Sequence, residues 1–219
     1  MIVATFNLEN KKEYDKAEII KRFVEDYKID VLCVQELTKN LENKLKIKDL
    51  VNIGIFSTIY MVVSLLTMIL AMFSPIIWLL WPSIAGLVCS FVYMFLVTKV
   101  PKRGTALLLS LITGLIYFIS GECTWTMLMS FAIVGVLAEI TRAITGYKSV
   151  KGAVISSGIL AMGFIGSPLP MWLFQESYMK SIIDMGMDPK YVSQLKNMIS
   201  IGSLIGCLAL AFVVGMIGG

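Results

Sequence analysis

The chain has no histidine among its 219 residues. That removes at once the commonest general base and the commonest transition-metal ligand. No GxxxxGK[ST] run occurs, so ATP hydrolysis at a phosphate loop is excluded and any ATP-driven work needs a partner. The four cysteines, Cys33, Cys89, Cys123 and Cys207, show no CxxC spacing. Three of them lie in or beside apolar runs, where a thiol is usually a small packing residue, so neither a disulfide framework nor a zinc site is expected. The amino end, MIVATFNLENKKEYDKAE, lacks the apolar core of a signal peptide, which leaves insertion to the first membrane helix. Charge is scarce too: 16% of residues are charged and 57% hydrophobic, against about a quarter charged in soluble domains. Most of the chain is expected in lipid. No catalytic set, metal site or cofactor is expected, and the chain does not read as an enzyme.

What the sequence does have is apolar length. The run PIIWLLWPSIAGLVCSFVYMFLVT, from Pro75 to Thr98, ends in the basic group Lys99, Lys102 and Arg103. About 24 uncharged residues at 1.5 Å per residue cover the hydrocarbon core of a bilayer. Six such runs follow one another, approximately Leu50 to Phe73, Pro75 to Thr98, Thr105 to Ser120, Thr124 to Ile144, Val150 to Phe174 and Met198 to Ile217. The expected fold is therefore an all-α integral membrane protein of six transmembrane helices, preceded by a short soluble β-α-β fragment.

The bases set an orientation. Lys44, Lys46 and Lys48 precede the first run, Lys99, Lys102 and Arg103 join the second to the third, and Arg142, Lys148 and Lys151 join the fourth to the fifth. All nine fall on one side. The opposite side has only Lys180, Lys190 and Lys196, balanced by Glu176, Asp184 and Asp188. Cationic loops stay cytoplasmic, so both termini are expected inside a cell membrane that the chain crosses several times. The outer connection, Gln175 to Asn197, has room for one or two amphipathic helices with Met179, Ile182, Ile183 and Met187 as an apolar stripe, either a lid or a surface linker.

All four tryptophans, Trp78, Trp81, Trp125 and Trp172, fall on the outer half. An interfacial belt would explain them, but a belt places tryptophan at both faces, so the asymmetry favours an outward pocket with flat aromatic walls. Glu122, beside Trp125, is a candidate for a cationic or hydrogen-bonding substrate group, or a carboxylate at the water boundary. Glu139 stands three residues before Arg142, the spacing of an intrahelical ion pair. The fifth run, GAVISSGILAMGFIGSPLP, is rich in small residues, and Pro168 and Pro170 are expected to break it at its outer end. Gly54, Ser57 and Thr58 give the first run a small face, and Gly202 and Gly206 form GxxxG in the sixth.

Residues 1–40 differ in character. Val3 to Phe6 and Ile29 to Val34 read as buried strands, with a helix over Lys11 to Tyr27 between them. ATFNLEN and DVLCVQEL resemble the start of the endonuclease/exonuclease/phosphatase superfamily, which would put Asn7 and Glu36 at its metal-site positions. That family also needs two histidines, so the segment reads as a truncated, inactive piece.

From KLKIKDLVNIGIF through VYMFLVTKVPKRG, LAEI and MGMDPKYV, residues 42–219 resemble the Trep_Strep (MptS-type) family, taken as S components of energy-coupling factor (ECF) transporters. The resemblance implies a six-helix subunit that binds a micronutrient from outside and works with a transmembrane T component and two cytoplasmic ATPases. It would place substrate contacts at Trp78, Trp81, Glu122, Trp125 and Gln175, and partner docking at Gly54, Ser57 and Thr58, although the usual pair of alanines is absent there. A secondary transporter driven by an ion gradient would want paired ionisable groups at mid-membrane, and none is found deep in these runs. A purely structural membrane protein stays open.

Overall fold

The computed structural model describes residues 3–7, 31–35, 45–71, 73–121, 125–184 and 186–219. The chain divides into two compact units, Met1–Leu45 and Lys46–Gly219. In the first, strands β1 (Val3–Asn7) and β2 (Val31–Gln35) pair in parallel, in register from Val3 opposite Val31 to Asn7 opposite Gln35. The helix expected over Lys11 to Tyr27 lies outside the described residues.

The second unit is built from helices. In chain order they are α1 (Ile47–Ala71), α2 (Pro75–Lys99), α3 (Thr105–Ser120), α4 (Trp125–Thr145), α5 (Val150–Ala161), α6 (Pro170–Leu173), α7 (Gln175–Asp184), α8 (Pro189–Met198) and α9 (Ile201–Ile217). Their boundaries follow local chemistry. Pro75 opens α2 where a missing N–H costs nothing, and α3 lies between two glycines, Gly104 and Gly121, in the left-handed region that other residues avoid. Ser149 caps α5 by accepting from the Gly152 amide. At α9, Ser200 and Ser203 bond reciprocally as a capping box.

Three helices, within α1, α2 and α4, are long and apolar enough to cross a membrane, and α8 with α9 makes a fourth candidate if that pair, bent by 86°, is taken as one span. The expectation of six full-length spans meets a different arrangement in the described residues. At 1.5 Å per residue the sixteen residues of α3 reach only about 24 Å. The fifth run is also shorter than expected: α5 ends at Ala161, and Met162–Gly166 tighten into a 3-10 turn six residues before Pro168. Proline does not start the break. Gly163 sits against Phe131 and Val134 and Gly166 against Met127 and Ser130, at distances that leave no space for a side chain. The close approach of α4 sets the backbone path here.

That tightening carries Phe164 into the centre of the bundle. Its ring stacks on Tyr60 at 5.5 Å and meets Trp81 and Phe131 edge-on at 5.6 and 5.3 Å, and Phe131 in turn stacks on Tyr117. Offset and edge-on pairs of this kind add to simple burial. Polar atoms in this core are mostly paired, as a low dielectric requires. The Tyr93 hydroxyl shares a 2.7 Å hydrogen bond with Ser156, Ser64 shares one with Tyr117, and the Trp81 indole N–H donates to Thr67 at 3.2 Å.

A second seam holds α2, α5 and α9 together. Gly86, Gly158 and Gly215 bring three backbones close around Ala161. The Gly215 carbonyl, at the end of α9, accepts from both Ser90 and Ser157, at 2.8 and 2.7 Å. Late carbonyls of a helix lack intrahelical donors, and two serines from neighbouring helices supply them here. By contrast, among the described residues a Cβ on Gly206 would meet nothing within 4 Å, and one on Gly202 only the Ser200 hydroxyl at 3.7 Å, so the GxxxG of α9 is not a tight seam there.

Candidate functional site

The end of the bundle where α6, α7 and α8 lie is a separate apolar cluster. Met179 and Ile182 of α7 and Val192 and Leu195 of α8 bury against Leu79 of α2, Ile165, Met171 and Cys207. Trp78, Trp172, Tyr178 and Met187 pack around them. Both short helices are amphipathic: their remaining positions are mostly polar and solvated. The stripe expected from the sequence is therefore shifted, since Ile183 is exposed and the buried set continues in Val192 and Leu195. The cluster is fastened at one edge by Trp172, whose indole N–H donates to the Ser200 carbonyl at 2.9 Å, where α9 begins.

Trp78 is the unusual member. Its indole N–H is buried without an acceptor, one of three such polar atoms among the described residues, with the hydroxyls of Ser83 and Thr113. An indole N–H left unpaired in a dry site carries a desolvation cost of about 1–3 kcal/mol. Four residues on, Pro82 lies inside α2. It has no N–H to give the Trp78 carbonyl, which is the bond a regular helix would make there. Donor and acceptor at Trp78 are thus both deprived of their ordinary partners. The spacing Trp78-x-x-x-Pro82 was the signal in the sequence that could have marked this position.

The other expected site residues are scattered. Trp81 is 2% exposed and occupied by Thr67 and Phe164, so it belongs to the central core and does not line an open surface. Trp125 is 55% exposed at the start of α4 and faces away from the bundle. Gln175 begins α7 and is half-buried. Glu122 lies outside the described residues. Of the expected docking set, Gly54 and Thr58 face outward, with the Thr58 hydroxyl returned to the Gly54 carbonyl at 3.1 Å. Ser57 points inward, buried, and donates to the Ile53 carbonyl. In the amino-terminal unit Asn7 ends β1, and Glu36 lies outside the described residues. No group of three or more metal-ligating side chains occurs among the described residues.

At the opposite, basic end the loops are tied by carboxylates. Asp49 accepts from Lys102 at 2.6 Å, joining the start of α1 to the turn after α2. Glu139 does not take up Arg142. Its carboxylate accepts from the Gly104 amide at 2.6 Å, the Leu107 amide at 3.4 Å and the Tyr147 hydroxyl at 3.0 Å. A negative charge at the first turn of α3 is where a helix favours one. Burial and the bond to Glu139 push the Tyr147 phenol up to about 12. Because Glu139 is the acceptor for three donors, Glu139→Ala is expected to cost about 2–3 kcal/mol. Glu139→Gln, which keeps a carbonyl for Gly104, should recover part of that. Thermal unfolding of the purified variants in detergent measures both, and equal midpoints for wild type and Glu139→Ala would refute the capping role.

Fold and site together define a polytopic α-helical membrane protein, with a capped aromatic end and a carboxylate-laced basic end. The chain belongs to the Trep_Strep family, described as hypothetical bacterial integral membrane proteins, matched over residues 47–219. No curated protein and no solved structure matches it.

Proposed function

We propose that this protein is the substrate-binding membrane subunit, the S component, of an ATP-driven ECF-type importer that captures a micronutrient from outside the cell. The observation that carries the reading is the packing of two amphipathic helices against Trp78, whose buried indole N–H has no acceptor; we read the pair as a lid. An unpaired donor beside aromatic walls suits a small molecule that brings its own carbonyl or ring nitrogen. The bundle lacks its own phosphate loop, so energy must come from elsewhere, namely a transmembrane T component and two cytoplasmic ATPases. In this reading six helical segments cross or enter the membrane, and both termini lie in the cytoplasm. The outward Gly54 and Thr58 of α1 offer the T component a small-residue face, while the first forty residues contribute no activity. Substrate contacts are assigned to Trp78 and Gln175 first, and Glu122 and Trp125 are kept as further candidates.

Affinity copurification of the tagged full chain from its native membrane tests the proposal. Mass spectrometry is expected to find a T component, a pair of ATPases and a retained small molecule, with Trp78→Phe losing most of that molecule while keeping the partners. Recovery of the bundle alone under mild detergent would move the assignment to an ion-gradient-driven secondary transporter or a structural membrane protein.

A further inference from the structure

A cavity of about 340 Å³ opens at the basic end, between the last turns of α2 and α4 and the start of α5. Its walls divide by chemistry. Met94, Val97, Pro101 and Ala153 give it an apolar side, and Arg142, Lys148 and Ser149 a polar one. Arg142 is 2% exposed. Its guanidinium donates to the Tyr147 carbonyl and lies 6.0 Å from that residue's ring, and no carboxylate pairs with it among the described residues. The nearest acid in sequence, Glu139, is already bonded to Gly104, Leu107 and Tyr147. A cation buried without an anion is costly, and the other four N–H groups of a guanidinium form a fork suited to oxygen pairs.

Apart from Glu139, whose carboxylate reaches Tyr147 through the phenol hydroxyl, the groups at the cavity share the sign of Arg142. Lys148 is exposed at the cavity's edge, as is Val150, 70% exposed. The cavity also borders the first turn of α5, a twelve-residue helix whose amino end carries partial positive charge and whose Ser149 cap uses one amide only, that of Gly152. A buried guanidinium, a lysine and a helix start thus converge on a space whose far wall is hydrocarbon.

We propose that this cavity binds the phosphate group of an anionic phospholipid, with Arg142 and Lys148 on the phosphate oxygens and the glycerol and upper acyl carbons along Met94, Val97, Pro101 and Val150. With α2 and α4 taken as membrane spans, the site lies at their last turns, where a phosphate headgroup would stand. Basic pockets between membrane helices hold headgroups by this chemistry. The site is independent of any substrate bound under the lid.

Native mass spectrometry of the purified full chain, delipidated and then offered mixed micelles of phosphatidylglycerol and phosphatidylcholine, tests the assignment. Wild type is expected to retain phosphatidylglycerol selectively, and Lys148→Gln to weaken that retention about five-fold, the value of one cation near a charged surface. Val150→Trp, at the exposed rim, is expected to block it further without disturbing the core. Arg142→Gln should abolish selectivity; if that variant does not fold, Lys148→Gln and Val150→Trp decide. Addition of inorganic phosphate separates the sources. Competition by millimolar phosphate, with phosphate retained in lipid-free protein, would assign the same oxygens to a soluble anion. Equal retention of the two lipids, or selectivity unchanged in both rim variants with no phosphate bound, would overturn the proposal.

Discussion

Phe164→Ala is expected to lower the stability of the membrane unit by about 3–5 kcal/mol, the range for emptying an aromatic site in a packed core. Phe164 touches Tyr60, Trp81 and Phe131, rings from α1, α2 and α4. Its removal therefore opens a void that no single helix can close by shifting. Phe164→Leu retains much of the volume and is expected to lose about half as much. Cys89 supplies the readout: its thiol is fully buried and donates to the Tyr60 carbonyl at 3.4 Å, next to the void. In a background of Cys33→Ser, Cys123→Ser and Cys207→Ser, maleimide labelling against temperature should begin many degrees earlier in Phe164→Ala than in wild type. An unchanged labelling curve would show that the four rings are not the centre of the fold.

The second large effect is expected at Gly215. A Cβ there would stand 2.5 Å from that of Ala161 and 3.0 Å from the Gly158 Cα, so Gly215→Val cannot be absorbed by rotating a flexible side chain. It must part α9 from α5 and pull the Gly215 carbonyl away from Ser90 and Ser157. Overpacking alone costs about 1–3 kcal/mol, and two hydrogen bonds are lost with it. Folded, monodisperse protein should be scarce on size exclusion. Gly206→Val is the control on the same helix, because nothing lies within 4 Å of its Cβ position. Similar losses from the two variants would contradict the seam as described.

Much of this architecture could be read from the chain because lipid imposes a simple rule. Apolar runs became helices, and the basic groups after α2 and α4 stand at turns of one end, with Lys102 and Arg142 near the turns they were expected to mark. The interior of the bundle was much harder to read. When a helix is apolar on every side, as α2 and α5 are, hydrophobic periodicity no longer distinguishes an inward face from an outward one. Trp78 and Trp81 therefore looked equivalent, although one packs in the cluster with α7 and α8 and the other is bonded into the core. Likewise, Glu139 and Arg142 had the spacing of an ion pair, but the amide of Gly104, 35 residues earlier, is the partner that Glu139 meets. The break in the fifth run was expected at its prolines. It falls earlier, because Gly163 and Gly166 let α4 approach the backbone there.

The bend between α8 and α9 has a mechanical consequence. At 1.5 Å per residue, the ten residues of α8 form an arm about 15 Å long, pivoting at Ile199 and Ser200. A rotation of about 20° at that pivot carries the tip near Asp188 through roughly 5 Å, the width of one side chain. The Trp172 bond to the Ser200 carbonyl acts close to the fulcrum, where it resists translation of the joint but exerts little torque on the arm. Angular stiffness must therefore come from contacts farther out, Tyr191, Val192 and Leu195 among them. Any lifting of the arm would have to break the aliphatic contacts of Val192 and Leu195, together with the packing of Tyr191 beside them.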